Sequence, residues 1–354
     1  MQIFTIDFWE IVKKSKLFSY TEKVANTMHT FLKSCLNYNP KAPGVLYHYC
    51  SVDTMLKILQ NYCVWLSDAE KVNDKKELTY FCEEIQNIVS EISMRYQNKF
   101  DPILIKKVQD ILYCGLDGIK KGASYTARNT KSYVCCFSEC SDLLSQWRAY
   151  GDDGQRVALG FNANLLLGLN DAYQYDFVKV IYGQDEIREK VYDYVETILK
   201  YTYQDAVEHQ LEKDDIAMDL TPIMVPALRE RFAFKHPGFC EEKEWRLFRS
   251  QVCNFDEDSG EDEPFFRGAF HTFDRILGEF SCSALQFRSL KDDICSYFEF
   301  GFEKYKENII DEIMLGPKCK IKTMDLKILL RKYKYLSDIE SDSIKISKSY
   351  IPYV

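Results

Sequence analysis

With 354 residues, 46% of them apolar and 28% charged, the chain can bury one large core or two modest ones and is too apolar to be a disordered polymer. Its 46 Lys and Arg against 54 Asp and Glu give a formal charge of −8, which excludes non-specific coating of a nucleic-acid backbone, because neutralising phosphates needs a net basic face. No apolar run reaches the ~18 residues that a membrane-spanning helix needs. Residues 1–17 mix charges with apolar side chains and show no secretory h-region, so a cytoplasmic protein with no membrane partner is expected.

Residues 1–44 carry Phe8, Ile11, Val12, Val24, Met28, Phe31 and Leu32 at three-to-four spacing and read as a helical segment, broken by Pro40, Pro43 and Gly44. A strand over 45–50 follows, then a short helix capped by Ser51, then a strand over 62–67. The pattern is helical over about 78–121, extended at 132–138, helical at 142–150, and extended at 156–161 and 175–182. It is helical again over about 185–233. A turn at His236–Phe239 feeds a strand over 243–249, and residues 254–264 read as an acidic solvated loop. Extended runs at 265–273, 282–288, 297–302, 309–315 and 344–351 surround a helix at 323–335. Short strands with helical insertions predict an α+β fold: one central mixed or antiparallel sheet system in a single domain over 45–354. The 13 cysteines are odd in number and sit mostly in apolar runs, which favours reduced thiols, and Cys135, Cys136 and Cys140 lack a partner at zinc spacing. No metal centre is expected.

Two strands carry the polar residues that invite chemistry. Alternation puts His48 with Leu46 and Cys50 on one face of the strand at 45–50. In the strand at 242–248 it puts Glu242, Glu244 and Arg246 in one row, opposite Trp245 and Leu247. A guanidinium beside two carboxylates can hold one of them ionised, ready to grip a hydroxyl or steady a developing cation. A structural ion pair on a solvated face is the alternative. Glycine-rich phosphate loops are absent, which argues against Walker-type and dinucleotide-fold enzymes, and the serine at 145 lacks a nucleophile elbow.

The strings Leu46-Tyr47-His48-Tyr49, Trp65-Leu66-Ser67-Asp68, Asn73-Asp74, Cys136-Phe137-Ser138-Glu139 and Gln146-Trp147-Arg148-Ala149-Tyr150-Gly151 together carry a resemblance. So do Val157–Phe161, Phe234–Phe239, Glu242-Lys243-Glu244-Trp245-Arg246, Ile313–Pro317 and Ser349–Pro352. The chain resembles the bacterial family known as domain of unknown function 2971. It departs from that pattern at Lys75, where the family has proline. The step from His48 to Ser51, the helix ending Ile58-Leu59, and the aromatic strand Trp65–Asp68 also look like the first half of an ADP-ribosyltransferase site. Glu242-Lys243-Glu244 resembles the Glu-x-Glu pair of related toxins, although Tyr49 stands where a glycine is usual.

That second resemblance implies NAD as the consumed substrate in an ADP-ribosyltransferase-like fold, with a protein or nucleic-acid acceptor, in a toxin or phage-defence effector. His48 would position the ribose. Glu244, with Glu242, would stabilise oxocarbenium character, and Ser51, Trp65, Ser67, Trp147, Arg148, Tyr150 and Arg246 would bind the dinucleotide. Two other readings stay open. One is a metal-dependent nuclease built on Glu241-Glu242-Lys243 with Asp152 or Asp153. The other is a non-catalytic sensor that binds a nucleotide or a protein through Trp65, Trp147 and Tyr150, or a protein through its helical regions.

Overall fold

The computed structural model describes residues 43–353 apart from 72–76, 121–129, 150–154, 168–175, 221–222, 225–226, 228–229, 253–279, 291 and 339–342. Residues 1–42 of the helical segment expected at 1–44, Asn73, Asp74, Tyr150, residues 151–154, the acidic loop and the strand expected at 265–273 lie outside the described residues.

The chain opens with β1 (Val45–Cys50), α1 (Val52–Asn61) and β2 (Cys63–Asp68). Ser51 starts α1 by accepting a hydrogen bond from the Thr54 amide at 3.0 Å, and Tyr62 ends it in the left-handed region. The helical stretch expected at 78–121 is two helices, α2 (Glu77–Tyr96) and α3 (Pro102–Lys120), since the proline suits a first helical turn. Next come β3 (Thr130–Ser138), α4 (Leu144–Ala149), β4 (Val157–Asn162), α5 (Ala163–Leu167), β5 (Asp176–Lys179) and β6 (Ile181–Tyr182). The second helical stretch resolves into α6 (Gln184–His209) and α7 (Lys213–Asp219), followed by β7 (Phe234–Lys235) and β8 (Glu244–Val252). The chain continues through β9 (Ser281–Cys282), β10 (Gln286–Leu290), β11 (Asp293–Gly301), β12 (Ile310–Leu315), α8 (Thr323–Lys332) and β13 (Lys345–Lys348).

One large mixed sheet organises these elements, in the order β10-β11-β2-β3-β1-β4-β12-β13, with β8 on the other edge of β3 and β5 beyond β8. Among the described strands only β12–β13 is a parallel pair within it. β3 is the junction. One edge pairs with β8 along its full length, while the other edge is shared, with β2 at Tyr133 and Val134 and β1 at Ser138. The sheet therefore splits there, and α1 links the two strands that diverge.

Register assigns every side chain to a face, because residues directly opposite across antiparallel strands point the same way. Tyr47 faces Ser138, Ser138 faces Glu244, and Cys136 faces Arg246, so these share the front with Ser67 and Trp65. His48 faces Leu159, Phe137 faces Trp245, and Cys135 faces Leu247, which puts them on the back. The front packs Val134, Val178 and Phe248 under α2, α3 and α6. The back packs Phe137, Phe161, Trp245 and Phe298 under α1, α5 and α8. Each fully buried aliphatic or aromatic side chain here is worth about 1.5–3 kcal/mol, so both helical layers are held by the same force. Gly160 on β4 is a close approach: a Cβ there would lie 2.7 Å from Val45 Cγ1, and its absence lets the Tyr47 ring cross β4 to reach Glu312.

Candidate functional site

The strand carrying the acid row begins one register later than the sequence suggests. Residues Pro237–Glu242 form a 3-10 turn and Lys243 takes a left-handed φ of 43°, so Glu242 stands outside β8. Glu244 and Arg246 alone continue on the front face. Glu242 and Glu244 nevertheless meet, on Lys235 at the end of β7: its Nζ lies 2.8 Å from Glu242 Oε2 and 3.1 Å from Glu244 Oε2. Arg246 donates through Nε to Glu244 Oε1 at 2.9 Å and through Nη2 to Oε2 at 2.8 Å, a two-pronged grip. Its Nη1 donates to the Phe232 carbonyl at 3.1 Å, and the Glu244 amide donates to the Tyr182 hydroxyl at 2.8 Å.

Lys235, Glu244 and Arg246 are only 3%, 5% and 4% exposed. Burial alone would raise the Glu244 pKa, but the charges of Arg246 and Lys235 overcome it and hold it at about 2. Both carboxylate oxygens are committed to protein cations. A carboxylate so held is ionised at neutral pH, and its lone pairs point at its own neighbours. It is built to hold β7, β8 and the Phe232 backbone together.

His48 is not part of this network. It lies on the back face, half-buried, with its ring 5.8 Å from that of Phe137. Its Nδ1 lies 2.9 Å from the Cys136 carbonyl, and since a carbonyl only accepts, Nδ1 carries the proton. Desolvation lowers its pKa, partly opposed by that bond, so the ring is neutral. The location follows from the split: between Val134 and Ser138 the β1/β2 edge of β3 has no strand beside it, and the imidazole takes the carbonyl a strand would have taken. The convergence of His48 with Glu244 expected from the sequence is thus corrected by register, which sets them on opposite sides of the sheet.

The remaining expected residues divide in the same way. Ser51 is a helix cap. Trp147 is fully buried, edge-on to Tyr49 at 4.6 Å, with Nε1 donating to Asp142 at 2.7 Å, so it offers no stacking surface. Arg148 is exposed and its guanidinium lies 5.1 Å from the Tyr353 ring, away from the Glu244 network. Glu241 and Lys243 are exposed while Glu242 turns to Lys235, so the nuclease triplet does not converge, and Asp152 and Asp153 lie outside the described residues. No group of three metal-ligating side chains occurs among the described residues.

Trp65 and Ser67 keep company of a different kind. Trp65, half-buried on the front of β2, has the Tyr297 ring 5.0 Å away, Arg288 5.1 Å from its ring centre and Lys57 5.5 Å from it. Arg288 donates through Nη2 to Ser67 Oγ at 3.0 Å, while its Nε has no partner. Glu299 stands directly opposite Trp65 on β11. The sequence reading missed Arg288 and Tyr297. Their signal was the alternation of Gln286, Arg288 and Leu290 on a strand flanking an aromatic one. Lys235 was equally missed, although it stands within the family-like stretch Phe234–Phe239.

Among the described residues no helix is long and apolar enough to cross a membrane. No curated protein and no solved structure matches the chain. Residues 146–247, which contain Trp147, Lys235, Glu242, Glu244 and Arg246 but neither Trp65 nor Arg288, match the family model described as "Protein of unknown function (DUF2971)".

Proposed function

We propose that this protein is a binding module for a nucleotide-class ligand, taken up on the front of β2, β11 and β10. The observation that carries this reading is the Trp65 ring with Lys57 and Arg288 5.5 and 5.1 Å from its centre, and one Arg288 N–H unpaired among the described residues. Half-buried aromatic faces favour a planar base, and a guanidinium held in place by Ser67 and two rings is prearranged for a phosphate. Glu299 adds an acceptor suited to a ribose hydroxyl. NAD stays within this reading as a ligand of the right class, bound rather than cleaved, because the buried Glu244 carboxylate is already engaged by Arg246, Lys235 and the Cys136 thiol.

Isothermal titration with ATP, ADP-ribose and NAD tests it, run beside a nicotinamide-release assay. Saturable binding is expected, weakened at least tenfold by Trp65→Ala and by Arg288→Ala, with no nicotinamide released. If none of the three nucleotides binds, the module reading fails. If nicotinamide is released and Glu244→Gln abolishes the release, the NAD-consuming enzyme replaces it.

A further inference from the structure

Arg231 is a buried cation with nothing on the described chain to neutralise it. It lies in the 3-10 turn Glu230–Ala233 and is 5% exposed, and its Nε has no hydrogen-bond partner. Among the described residues no carboxylate forms an ion pair with it. Glu70, whose negative charge acts on it, is solvent-exposed and makes no bond to it, and Cys82 beside it is a buried thiol whose own pKa burial pushes up to about 11. A lysine in this position could shed its proton, but a guanidinium stays charged at any physiological pH. Burial of a lone charge is among the costliest arrangements a fold can contain, and a ring face at 5.1 Å, that of Phe232, offsets only part of it.

Arg246, which bonds the Phe232 carbonyl, and Lys235, also buried, show what compensation looks like here, since each is met by carboxylate at 2.8–3.1 Å. Arg231 has a planar fork of donors and, among the described residues, no carboxylate to receive it. We infer that Arg231 anchors an oxyanion site between the Glu230–Ala233 turn, Cys82 of α2 and Glu70, and that its ligand is a phosphate. The site is distinct from the Trp65 face and goes beyond the nucleotide reading. The phosphate is either free or the terminal group of a nucleotide.

Thermal melts of the full chain in inorganic phosphate against chloride at matched ionic strength, with ADP as a second probe, test the assignment. Wild type should show a saturable rise in Tm with phosphate. In Arg231→Met the dependence should vanish, and its Tm in phosphate-free buffer should equal or exceed that of wild type, because an uncompensated charge has been removed. Arg231→Lys, which keeps the charge but loses the fork, should weaken the phosphate effect about tenfold, and it serves if the methionine variant does not fold. In the Trp65→Ala background, where the nucleotide face is lost, a response to both probes assigns the phosphate to a nucleotide, and a response to inorganic phosphate alone assigns it to the free ion. Trp65→Ala must leave the inorganic phosphate response intact, so failure here is distinguishable from failure of the nucleotide reading. The inference is overturned if wild type shows no phosphate dependence, or if the dependence survives in Arg231→Met. It is also overturned if Arg231→Met lowers Tm in phosphate-free buffer, which would mean that the chain supplies the counter-ion itself.

Discussion

A carboxylate clasped by a guanidinium can be a catalyst or a rivet, and at Glu244 burial decides between them. Exposed ion pairs contribute about 0–1 kcal/mol, but removing one partner of a buried pair leaves a charge without compensation and costs about 3–5 kcal/mol. Arg246→Ala should therefore destabilise the protein by that amount in chemical denaturation, whereas truncating the exposed Lys57–Asp53 pair should cost far less. The pH dependence follows from the shifted group. The Glu244 pKa is about 2 in the folded chain against an ordinary 4.5, so its stabilisation is fully present above pH 4.5 and is lost as pH falls towards 2. Urea titrations at pH 6 and pH 3 should show a smaller loss for wild type minus Glu244→Gln at the lower pH. A difference that does not change with pH would show that the carboxylate is not the group at work.

At the scale of the element, the β1–α1–β2 unit was legible in the sequence because alternation, the Ser51 cap and the aromatic strand agree with one another. The lone histidine was legible as a polar group on a definite strand, but its job was not. That job exists only because β1 and β2 diverge along one edge of β3, a long-range fact about pairing that no local window contains. The acid row shows the same limit on a smaller scale. Its residue types were read correctly, but the left-handed turn at Lys243 moved Glu242 out of the strand, and positive φ at a non-glycine residue has weak sequence signal. Lys235, far from the row in pattern though near it in space, completed a network that periodicity alone could not draw. If His48 is the closure of the split, His48→Leu should leave the Cys136 carbonyl unpaired and cost about 1–3 kcal/mol, with nucleotide affinity unchanged. A folded, stable His48→Leu protein that lost ligand binding would instead place the imidazole in the site.

For the whole molecule, the sheet acts as a wall between two cores, and a carboxylate at its far end joins the loop before α4 to the segment after β13. Asp142, in the loop before α4, accepts from Trp147 Nε1 at 2.7 Å and from Ser349 Oγ at 2.7 Å, and its second oxygen accepts from the Tyr350 amide at 3.2 Å. The Ser349 amide also bonds the Leu315 carbonyl at 2.8 Å, so the segment after β13 is fixed both to the sheet and to the loop over its front. Arg148 and Lys318 both lie against the Tyr353 ring and continue the same contact. These side-chain bonds to a charged acceptor are worth about 1.5–3 kcal/mol each, and the Trp147 N–H is buried with its fully enclosed ring, so it has no water to turn to. Asp142→Ala should accordingly lower stability more than a surface substitution. It should also raise hydrogen-exchange rates at the amides of 345–350 and at Trp147, while those of β10 and β11, at the opposite end of the sheet, stay as they were. Exchange that rose evenly across the sheet would mean that the clasp holds nothing local and that β13 is retained by its backbone pairing with β12 and by the bonds of Ser347 and Lys345 to Glu312. Exchange confined to the two predicted places would make Asp142 the residue through which a surface loop and the last strand behave as one unit.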